Sequence, residues 1–153
     1  IWFRPHPDVD SGLRPGAVPD DAARRHADRI VRGGGMAPLL DAVDAVHTLT
    51  SLTGFEALMR GVEVTCHGMP FYAGWGLTRD LAPAPTRRTR RLELDALVAG
   101  VLILYPRYLD PVTGLPCPPE VLVSRMAGAR ARGRLDWIGP LRRWQGRMLG
   151  ALR

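Results

Sequence analysis

The sequence contains no lysine and only two cysteines, and both scarcities narrow the classes of protein that it can represent. Every one of the 21 basic residues in this chain of 153 residues is an arginine, and the formal net charge is +6. Cys66 and Cys117 lie far apart and form no CxxC pair. Neither a zinc framework nor a disulfide scaffold is therefore predicted, and we expect reduced thiols, as in the cytoplasm.

Long apolar runs and several catalytic signatures are also missing. No apolar run reaches the ~18 residues that a membrane-spanning helix needs, and no signal peptide is visible. The glycines of Arg32–Gly35 are not followed by GK[ST], so they do not form a phosphate loop. Ser51 lies in TSLTG rather than in a GxSxG elbow, which argues against a serine hydrolase. No aspartate cluster calls for a metal, and no cofactor is predicted.

The sequence does contain the alternating short segments that are typical of an α/β domain. Hydrophobic residues make up 46% of the chain and charged residues 24%, which suits one globular domain with a sizeable core. Strands are predicted near Ile1, at Arg29–Val31, at Asp44–Thr50 and at Val62–Cys66. We expect a Rossmann-like parallel sheet with helices on both faces over residues 1–91. A helical C-terminal extension over residues 92–153 should pack on it.

Helices are predicted where apolar residues recur at a spacing of three and four, or where proline or acidic residues open a turn. The chain begins at Ile1, without Met, in what reads as a buried strand, so we expect a piece of a longer enzyme. The predicted helices are Asp20–His26, Met36–Val43, Leu92–Leu104 with a buried second half AGVLIL, residues 118–132, and Trp137–Leu152 capped by Asp136. A small turn or short helix is predicted at Ser11–Ala17 and a rigid, turn-dense loop at Tyr105–Pro116.

The stretch Thr48–Thr78 carries most of the features that point to a ligand site. Its order is strand, hydroxyl-rich turn, short helix, strand and loop, which is the wiring of one βαβ unit. Ser51, Thr53 and Gly54 enter the helix, where free backbone N–H groups and the positive end of the dipole suit a phosphate or carboxylate. Alternatively, Ser51 or Thr53 is an ordinary N-cap. Glu56, one turn later, either accepts ribose hydroxyls or is simply a favourable acid near a helix N-terminus.

The loop His67–Gly76 closes this stretch with an unusual composition. Three aromatic residues, three glycines and a proline fall within it, so no regular helix or strand is expected. The loop follows a predicted parallel strand, at the position where open α/β sheets bind ligands. Phe71, Tyr72 and Trp75 either offer flat surfaces to a ligand or tuck into the core.

Histidines and a basic run add further candidates. His6 stands between two prolines after a short strand, where it either points into a cleft and bonds a phosphate or is an exposed turn residue. His47 is predicted to be a packed strand residue rather than a ligand. The run Arg87–Arg91 is predicted either to bind anionic lipid headgroups or an anionic donor, or to be a solvated connector. Nucleic acid is not an expected partner, because no helix-turn-helix or RNA-binding pattern accompanies it.

Three segments resemble one family. SLTGFEALMRGVEVTCHGMPFYAGWGLTRD, RPHPD at Arg4–Asp8 and LYPRYLDPVTGLPCPPEVLVSRM at Leu104–Met126 closely resemble the bacterial capsule polysaccharide β-Kdo transferases, which build the Kdo linker between capsule and lipid anchor. The resemblance extends from about Phe3 to Met126. The phrase PFYAGWGLT is long and compositionally unusual, so its specificity is high.

The resemblance implies a glycosyltransferase of GT-B type, in which two Rossmann-like lobes face each other across a cleft. This chain would be the donor lobe, transferring Kdo from CMP-Kdo with retention onto a lipid-linked or growing Kdo chain. The reaction would take place at the inner face of the cytoplasmic membrane, with the inner-membrane surface as a further partner. The missing N-terminal lobe would supply the catalytic base.

The resemblance also implies roles for individual residues. His6 would bond the CMP phosphate, with Arg4 of the same motif in the substrate site. Ser51, Thr53 and the backbone at Gly54 would receive phosphate or the sugar carboxylate, and Glu56 would hold the ribose. His67, Tyr72 and Trp75 would wall the sugar or nucleotide. The competing hypothesis is a non-catalytic α/β interaction domain that binds an anionic glycan or capsule export partners.

Overall fold

The computed structural model describes residues 1–131, the side chains of residues 129–131 excepted. The predicted helix Trp137–Leu152 and its cap Asp136 lie outside the described residues. By their internal contacts the described residues group into two compact units, one formed by Ile1–Gly34 with the described residues from Met126, the other by Gly35–Arg125. The predicted division between residues 91 and 92 falls inside the second unit and stays a prediction.

The first unit is built around one pair of short parallel strands. Strand β1 (Trp2–Phe3) pairs with β2 (Arg29–Ile30), so that Trp2 lies opposite Arg29 and Phe3 opposite Ile30. Between them lie helices α1 (Pro7–Asp10) and α2 (Asp20–Arg24). The small turn predicted at Ser11–Ala17 is present, since residues 11–15 form turns and bends. A short helix that was not predicted precedes it at Pro7–Asp10, where proline is pre-organised for the first helical turn.

The second unit holds a three-stranded parallel sheet with the order β3-β4-β5. Helix α3 (Met36–Leu40) precedes β3 (Ala45–Thr48), helix α4 (Thr53–Leu58) connects β3 to β4 (Glu63–Cys66), and β5 (Arg79–Asp80) lies on the far side of β4. The predicted βαβ unit is therefore confirmed. Strand β5 was not predicted, because its two residues open a segment rich in proline and arginine.

The core of the second unit lies between α4, the central strand and the loop that follows it. Strand β4 is buried over its last three residues, as expected for a strand with a neighbour on each side. Cys66, at its end, has a thiol whose pKa is raised, mainly by burial. The buried cluster consists of Leu40, Phe55, Ala57, Leu58, Val64, Cys66, Tyr72, Ala73 and Leu97.

The predicted helix Leu92–Leu104 differs from the structure in its second half. Helix α5 (Leu94–Ala99) buries Leu97, but the chain then widens into a π-helical segment, Gly100–Leu104, in which Tyr105 N–H donates to the Gly100 carbonyl. The extra residue per turn rotates the following side chains away from the core face. Leu104 is consequently 80% exposed, and the prediction that AGVLIL is buried is wrong.

The segment Tyr105–Pro116, predicted to be a loop, contains an antiparallel ribbon. Strands β6 (Tyr108–Leu109) and β7 (Pro116–Cys117) pair across a turn capped by the buried Asp110. Its carboxylate accepts hydrogen bonds from Val112 N–H at 3.0 Å and from the Thr113 hydroxyl at 3.2 Å. The pKa of Asp110 is lowered, chiefly by the hydrogen bond from Val112 N–H. Helix α6 (Pro119–Ala131) follows as predicted.

The α/β class with parallel strands is confirmed, although the hydrogen-bonded strands within residues 1–131 form two parallel sheets and one ribbon instead of a single sheet. Over the same residues, no helix combines the length and the apolar character needed to cross a bilayer.

Candidate functional site

Two loops leave the same edge of the sheet in the second unit. Strands β3 and β4 are parallel, so the turn after Thr48 and the loop that begins at His67 start side by side. His67 N–H donates to the Thr48 carbonyl at 2.8 Å. A Cβ atom on Gly68 would lie 2.8 Å from the Leu49 carbonyl oxygen, so only glycine allows this approach. The two loops form one surface at this edge, which is the candidate site.

The hydroxyl-rich turn uses its own polar groups. Ser51 N–H donates to Thr48 Oγ1 at 3.2 Å, and Thr53 N–H donates to Ser51 Oγ at 3.2 Å. Gly54 N–H donates to the Ser51 carbonyl. Three N–H groups of this turn, those of Ser51, Thr53 and Gly54, are therefore already engaged, because Leu52 has helical dihedral angles and the turn continues into α4. The turn presents hydroxyl groups instead: Ser51 Oγ donates to Thr53 Oγ1 at 3.0 Å, which leaves the Thr53 hydroxyl proton free to donate.

Tyr72 supports this turn from inside the protein. Its side chain is fully buried, and its hydroxyl donates to the Ser51 carbonyl. A Cβ atom on Gly54 would lie only 2.8 Å from Tyr72 Cε2, so Gly54 makes room for the ring. Burial raises the pKa of Tyr72 to about 12. Both residues were predicted to contact substrate, whereas the structure gives them the task of positioning Ser51.

The other aromatic rings of the loop occupy intermediate positions. Phe71 packs edge-on against Phe55 and Tyr72, with ring centroids 5.1 Å apart in each pair, and keeps 40% of its surface exposed. Trp75 is half-buried and its indole N–H donates to the Phe71 carbonyl at 2.7 Å. Each of the three rings was predicted either to face a ligand or to tuck into the core. Tyr72 is a core residue, and Phe71 and Trp75 remain partly open.

Two charged residues that sequence reasoning missed hold the loop in shape. Asp80, in β5, accepts Gly74 N–H at 2.8 Å and the Thr78 hydroxyl at 2.6 Å. Arg88 donates through Nη1 to two loop carbonyls, those of Pro70 and Ala73, both at 2.7 Å.

The Arg88 guanidinium also lies over the Trp75 ring, 5.5 Å from its centroid. Arg88 is thus not part of a solvated connector, as one interpretation of the basic run had it. The only signal in the sequence was that the arginine run follows closely after a loop rich in aromatic residues and glycine.

Glu56 lies half-buried on α4, one turn beyond the hydroxyl groups. Within residues 1–131, no hydrogen bond or ion pair engages its carboxylate. A carboxylate in this position can accept hydrogen bonds from a ligand that carries hydroxyl groups.

His47 and His67 meet across the two strands. His47 Nδ1 and His67 Nε2 are 3.1 Å apart, and both rings are exposed. The prediction of a packed His47 is wrong, because His47 lies on the open face of β3.

The first unit carries the remaining predicted residues. His6 Nδ1 accepts Asp8 N–H at 3.1 Å and caps α1, so that the neutral ring carries its proton on Nε2 and can donate it outward. Arg4 donates to the carbonyls of Gly33 and Gly34, at 2.6 and 3.0 Å, and thereby ties the glycine loop to the end of β1. Its Nε is buried and has no partner within the described part of the chain.

A cavity of about 340 Å³ lies in this unit, at the carboxyl ends of β1 and β2. Arg32 pairs there with Asp10 at 2.8 Å and with Asp20 at 2.5 Å. The hydrogen bond from Arg32 is the main reason why the pKa of Asp20 is lowered. The cavity is lined by Arg4, Pro5, Pro7, Asp10, Ser11, Val31, Arg32, Gly33 and Gly34.

No group of three or more potential metal ligands occurs among residues 1–131. The expectation that neither metal nor cofactor is needed stays a prediction.

Comparison with known proteins decides the family. The model of the family described as "Capsule polysaccharide biosynthesis protein" matches residues 1–108. The chain belongs to this family. It is 57% identical over 113 residues to the capsule polysaccharide modification protein LipA of Neisseria meningitidis serogroup A, covering 74% of this chain and 16% of LipA.

Among solved structures, this capsule polysaccharide biosynthesis protein resembles KpsC of Thermosulfurimonas dismutans. The KpsC β-Kdo 2,7 transferase superimposes with a TM-score of 0.74 at 38% identity, covering 85% of this chain and 41% of that one. The KpsC β-Kdo 2,4 transferase superimposes with a TM-score of 0.67 at 38% identity, covering 81% and 38%. The predicted family and the GT-B-type fold class are thereby confirmed. The chain spans less than half the length of each of these proteins.

Proposed function

We propose that the chain is the donor-binding lobe of a retaining β-Kdo transferase that uses CMP-Kdo in the synthesis of the capsule linker. The observation that carries this proposal is the likeness to KpsC over 85% of the chain at 38% identity. The acceptor is a lipid-linked Kdo chain at the inner face of the cytoplasmic membrane. The N-terminal lobe of the same enzyme completes the cleft.

In this proposal the hydroxyl turn binds the anionic part of the donor. The free Thr53 hydroxyl proton donates to a phosphate or carboxylate oxygen, and Ser51 holds Thr53 in place through the 3.0 Å bond between the two hydroxyls. Gly54 and the buried Tyr72 keep the turn in this shape. The carboxylate of Glu56, which has no partner within residues 1–131, accepts the ribose hydroxyls. His67 and Trp75 line the binding site of the ligand.

His6, in the first unit, donates its Nε2 proton to the CMP phosphate. The bond between Asp8 N–H and Nδ1 supports this role, because it places the proton of the neutral ring on the outward nitrogen. Arg4 contributes by holding the carbonyls of Gly33 and Gly34.

The chemistry asked of these residues is stabilisation of a leaving group. The bond between the anomeric carbon of Kdo and the phosphate oxygen of CMP breaks, and the acceptor hydroxyl oxygen bonds to the same carbon. Hydrogen-bond donors that stabilise the charge on the departing phosphate lower the barrier of this step without a metal. The acceptor proton goes to a base on the N-terminal lobe, outside this chain.

Calorimetric titration with CMP tests the donor site. Ser51→Ala and Glu56→Gln should each weaken CMP binding about ten-fold, which is the scale of one hydrogen bond to a charged or buried group. Ser124→Ala in α6 and Glu63→Gln in β4 are matched controls, because both residues are exposed. These two variants should bind like the parent chain.

The proposal fails if the folded parent chain does not bind CMP in the presence of its N-terminal lobe, or if the control variants lose as much affinity as the site variants. Binding of a Kdo polymer without any binding of CMP would instead support the non-catalytic interaction domain.

A further inference from the structure

His47 and His67 are joined by the geometry of the sheet. His47 lies opposite Thr65 in the parallel register, and His67 is two residues further along, so both side chains project from the same face. Their rings stand with centroids 5.4 Å apart and planes inclined by 42°. At 3.1 Å, His47 Nδ1 and His67 Nε2 are at hydrogen-bonding distance.

The number of protons on this pair determines what it can bind. When both rings are neutral, they carry two N–H groups, of which one lies between the rings and one points outward. One additional proton gives the pair a single positive charge. Both outer nitrogens, His47 Nε2 and His67 Nδ1, then carry protons and can donate. The charged pair therefore offers two donors to an anion, whereas the neutral pair offers one.

The pair lies at the edge of the sheet where the hydroxyl turn also begins. His67 N–H donates to the Thr48 carbonyl, and the close approach of Gly68 to Leu49 joins the two loops directly after the pair. The histidine pair and the hydroxyl turn therefore lie at the same edge of the sheet.

No carboxylate neutralises these rings within the described residues. Asp80 is engaged by Gly74 N–H and by the Thr78 hydroxyl. The charged groups on β3, β4, α4 and β5 and just before β3 make no hydrogen bond or ion pair with either imidazole within residues 1–131. These groups are Asp44, Glu56, Glu63, Arg79 and Asp80.

We propose that His47 and His67 form one anion-binding unit, which takes up a proton as it binds a carboxylate or phosphate oxygen at this edge of the sheet. The identity of the anion rests on the proposed function: it is the carboxylate of the acidic sugar or the phosphate of the nucleotide. His47, which sequence reasoning set aside as a packed residue, then acts together with His67.

The test compares CMP, free Kdo and inorganic phosphate as ligands of the full chain at pH 6 and pH 8. The variants are His47→Asn, His67→Gln and the double variant. Asparagine keeps a hydrogen-bonding group near the position of Nδ1, and glutamine keeps one near that of Nε2, but neither takes up a proton. His26→Asn is the matched control, because His26 is exposed and lies in the other unit.

The parent chain should bind at least one of these anions more tightly at pH 6, by up to ten-fold for each pH unit over which one proton is linked to binding. Each single variant should lose about ten-fold in affinity at pH 6 and most of the pH dependence. Because the two rings act as a unit, the double variant should lose no more than either single variant. Loss confined to Kdo identifies the carboxylate as the anion, and loss with CMP and phosphate identifies the phosphate.

Nitrogen-15 NMR of the imidazoles without ligand tests the pair itself. His47→Asn should shift the His67 ring resonances and leave those of His26 unchanged. The proposal is overturned if these shifts do not occur, or if the three ligands bind the variants as tightly as the parent chain with the same pH dependence.

The same data separate this proposal from the donor-lobe assignment. Phosphate binding that depends on the histidines, in a chain whose CMP binding ignores Ser51→Ala, would refute the donor site and keep the pair. CMP binding that needs Ser51 but ignores both histidines would do the opposite.

Discussion

At the scale of single residues, Tyr72 and Gly54 explain how the hydroxyl turn is held. The Tyr72 ring occupies the space that a Cβ atom at position 54 would need, and its hydroxyl reaches the Ser51 carbonyl. The family resemblance assigned both residues to the substrate site, whereas the composition of the loop left open whether Tyr72 faces a ligand or the core. Whether an aromatic ring in a loop points inward or outward depends on the path of the backbone, which local composition does not specify.

Tyr72 should make the stability of the protein sensitive to alkaline pH. Its pKa is raised from 10.0 to about 12 in the folded chain, because burial disfavours the phenolate. A raised folded-state pKa means that this stabilisation is complete below pH 10 and is lost as pH rises through about 12. Absorbance of tyrosinate should show one tyrosine that ionises late and together with unfolding.

Tyr72→Phe should abolish this late ionisation. It should also lower the free energy of unfolding by about 1 kcal/mol at neutral pH, because the hydrogen bond to Ser51 is lost. Tyr105→Phe is the control, since Tyr105 is 87% exposed. Late ionisation that persists in the Tyr72→Phe chain would contradict the assignment.

At the scale of elements, the aromatic and glycine-rich loop is shaped by contacts from outside itself. Asp80 binds it from β5, Arg88 binds it from the following segment, and Leu92 N–H donates to the Trp75 carbonyl at 2.9 Å. Gly74 and Gly76 have φ angles of +77° and +83°, which other residues rarely adopt. These contacts hold the loop in one conformation, which fixes the positions of Phe71 and Trp75.

Removing the Arg88 guanidinium should make the conformation of this loop less stable. We expect Arg88→Ala to lower the free energy of unfolding by about 1–3 kcal/mol, since two hydrogen bonds from a charged group are lost. Hydrogen exchange of the Trp75 indole N–H, followed by NMR, should become faster. Arg87→Ala is the matched control, because Arg87 is exposed and makes no hydrogen bond within residues 1–131. Equal effects of the two substitutions would show that Arg88 does not hold the loop.

At the scale of the whole molecule, the buried residues are unevenly shared between the two compact units. The hydrophobic cluster lies in Gly35–Arg125, whereas among residues 1–34 only Ala23 is buried. Backbone hydrogen bonds near few buried apolar groups open at low free energy.

Hydrogen exchange measured by mass spectrometry should therefore show the strongest protection in peptides that contain Glu63–Cys66. This strand is central in its sheet and is buried over its last three residues. Peptides from Ile1–Gly34 should exchange faster. Equal protection of the two regions would be incompatible with this division of the core.

The sequence by itself determined the family, the α/β class and the β3–α4–β4 unit, because motifs, turn residues and hydrophobic alternation are local properties of the chain. It also located Ser51, Thr53, Glu56 and His67 at one edge of a sheet, since parallel strands end on the same side.

Only the tertiary structure decided which of these groups are free to act. It engaged the N–H groups of Ser51, Thr53 and Gly54, placed Tyr72 in the core and Arg88 on the loop, exposed Leu104, and brought His47 against His67. Each of these outcomes depends on strand register or on contacts between residues distant in sequence. Such contacts are set by how the elements pack together, and a local pattern carries no information about them.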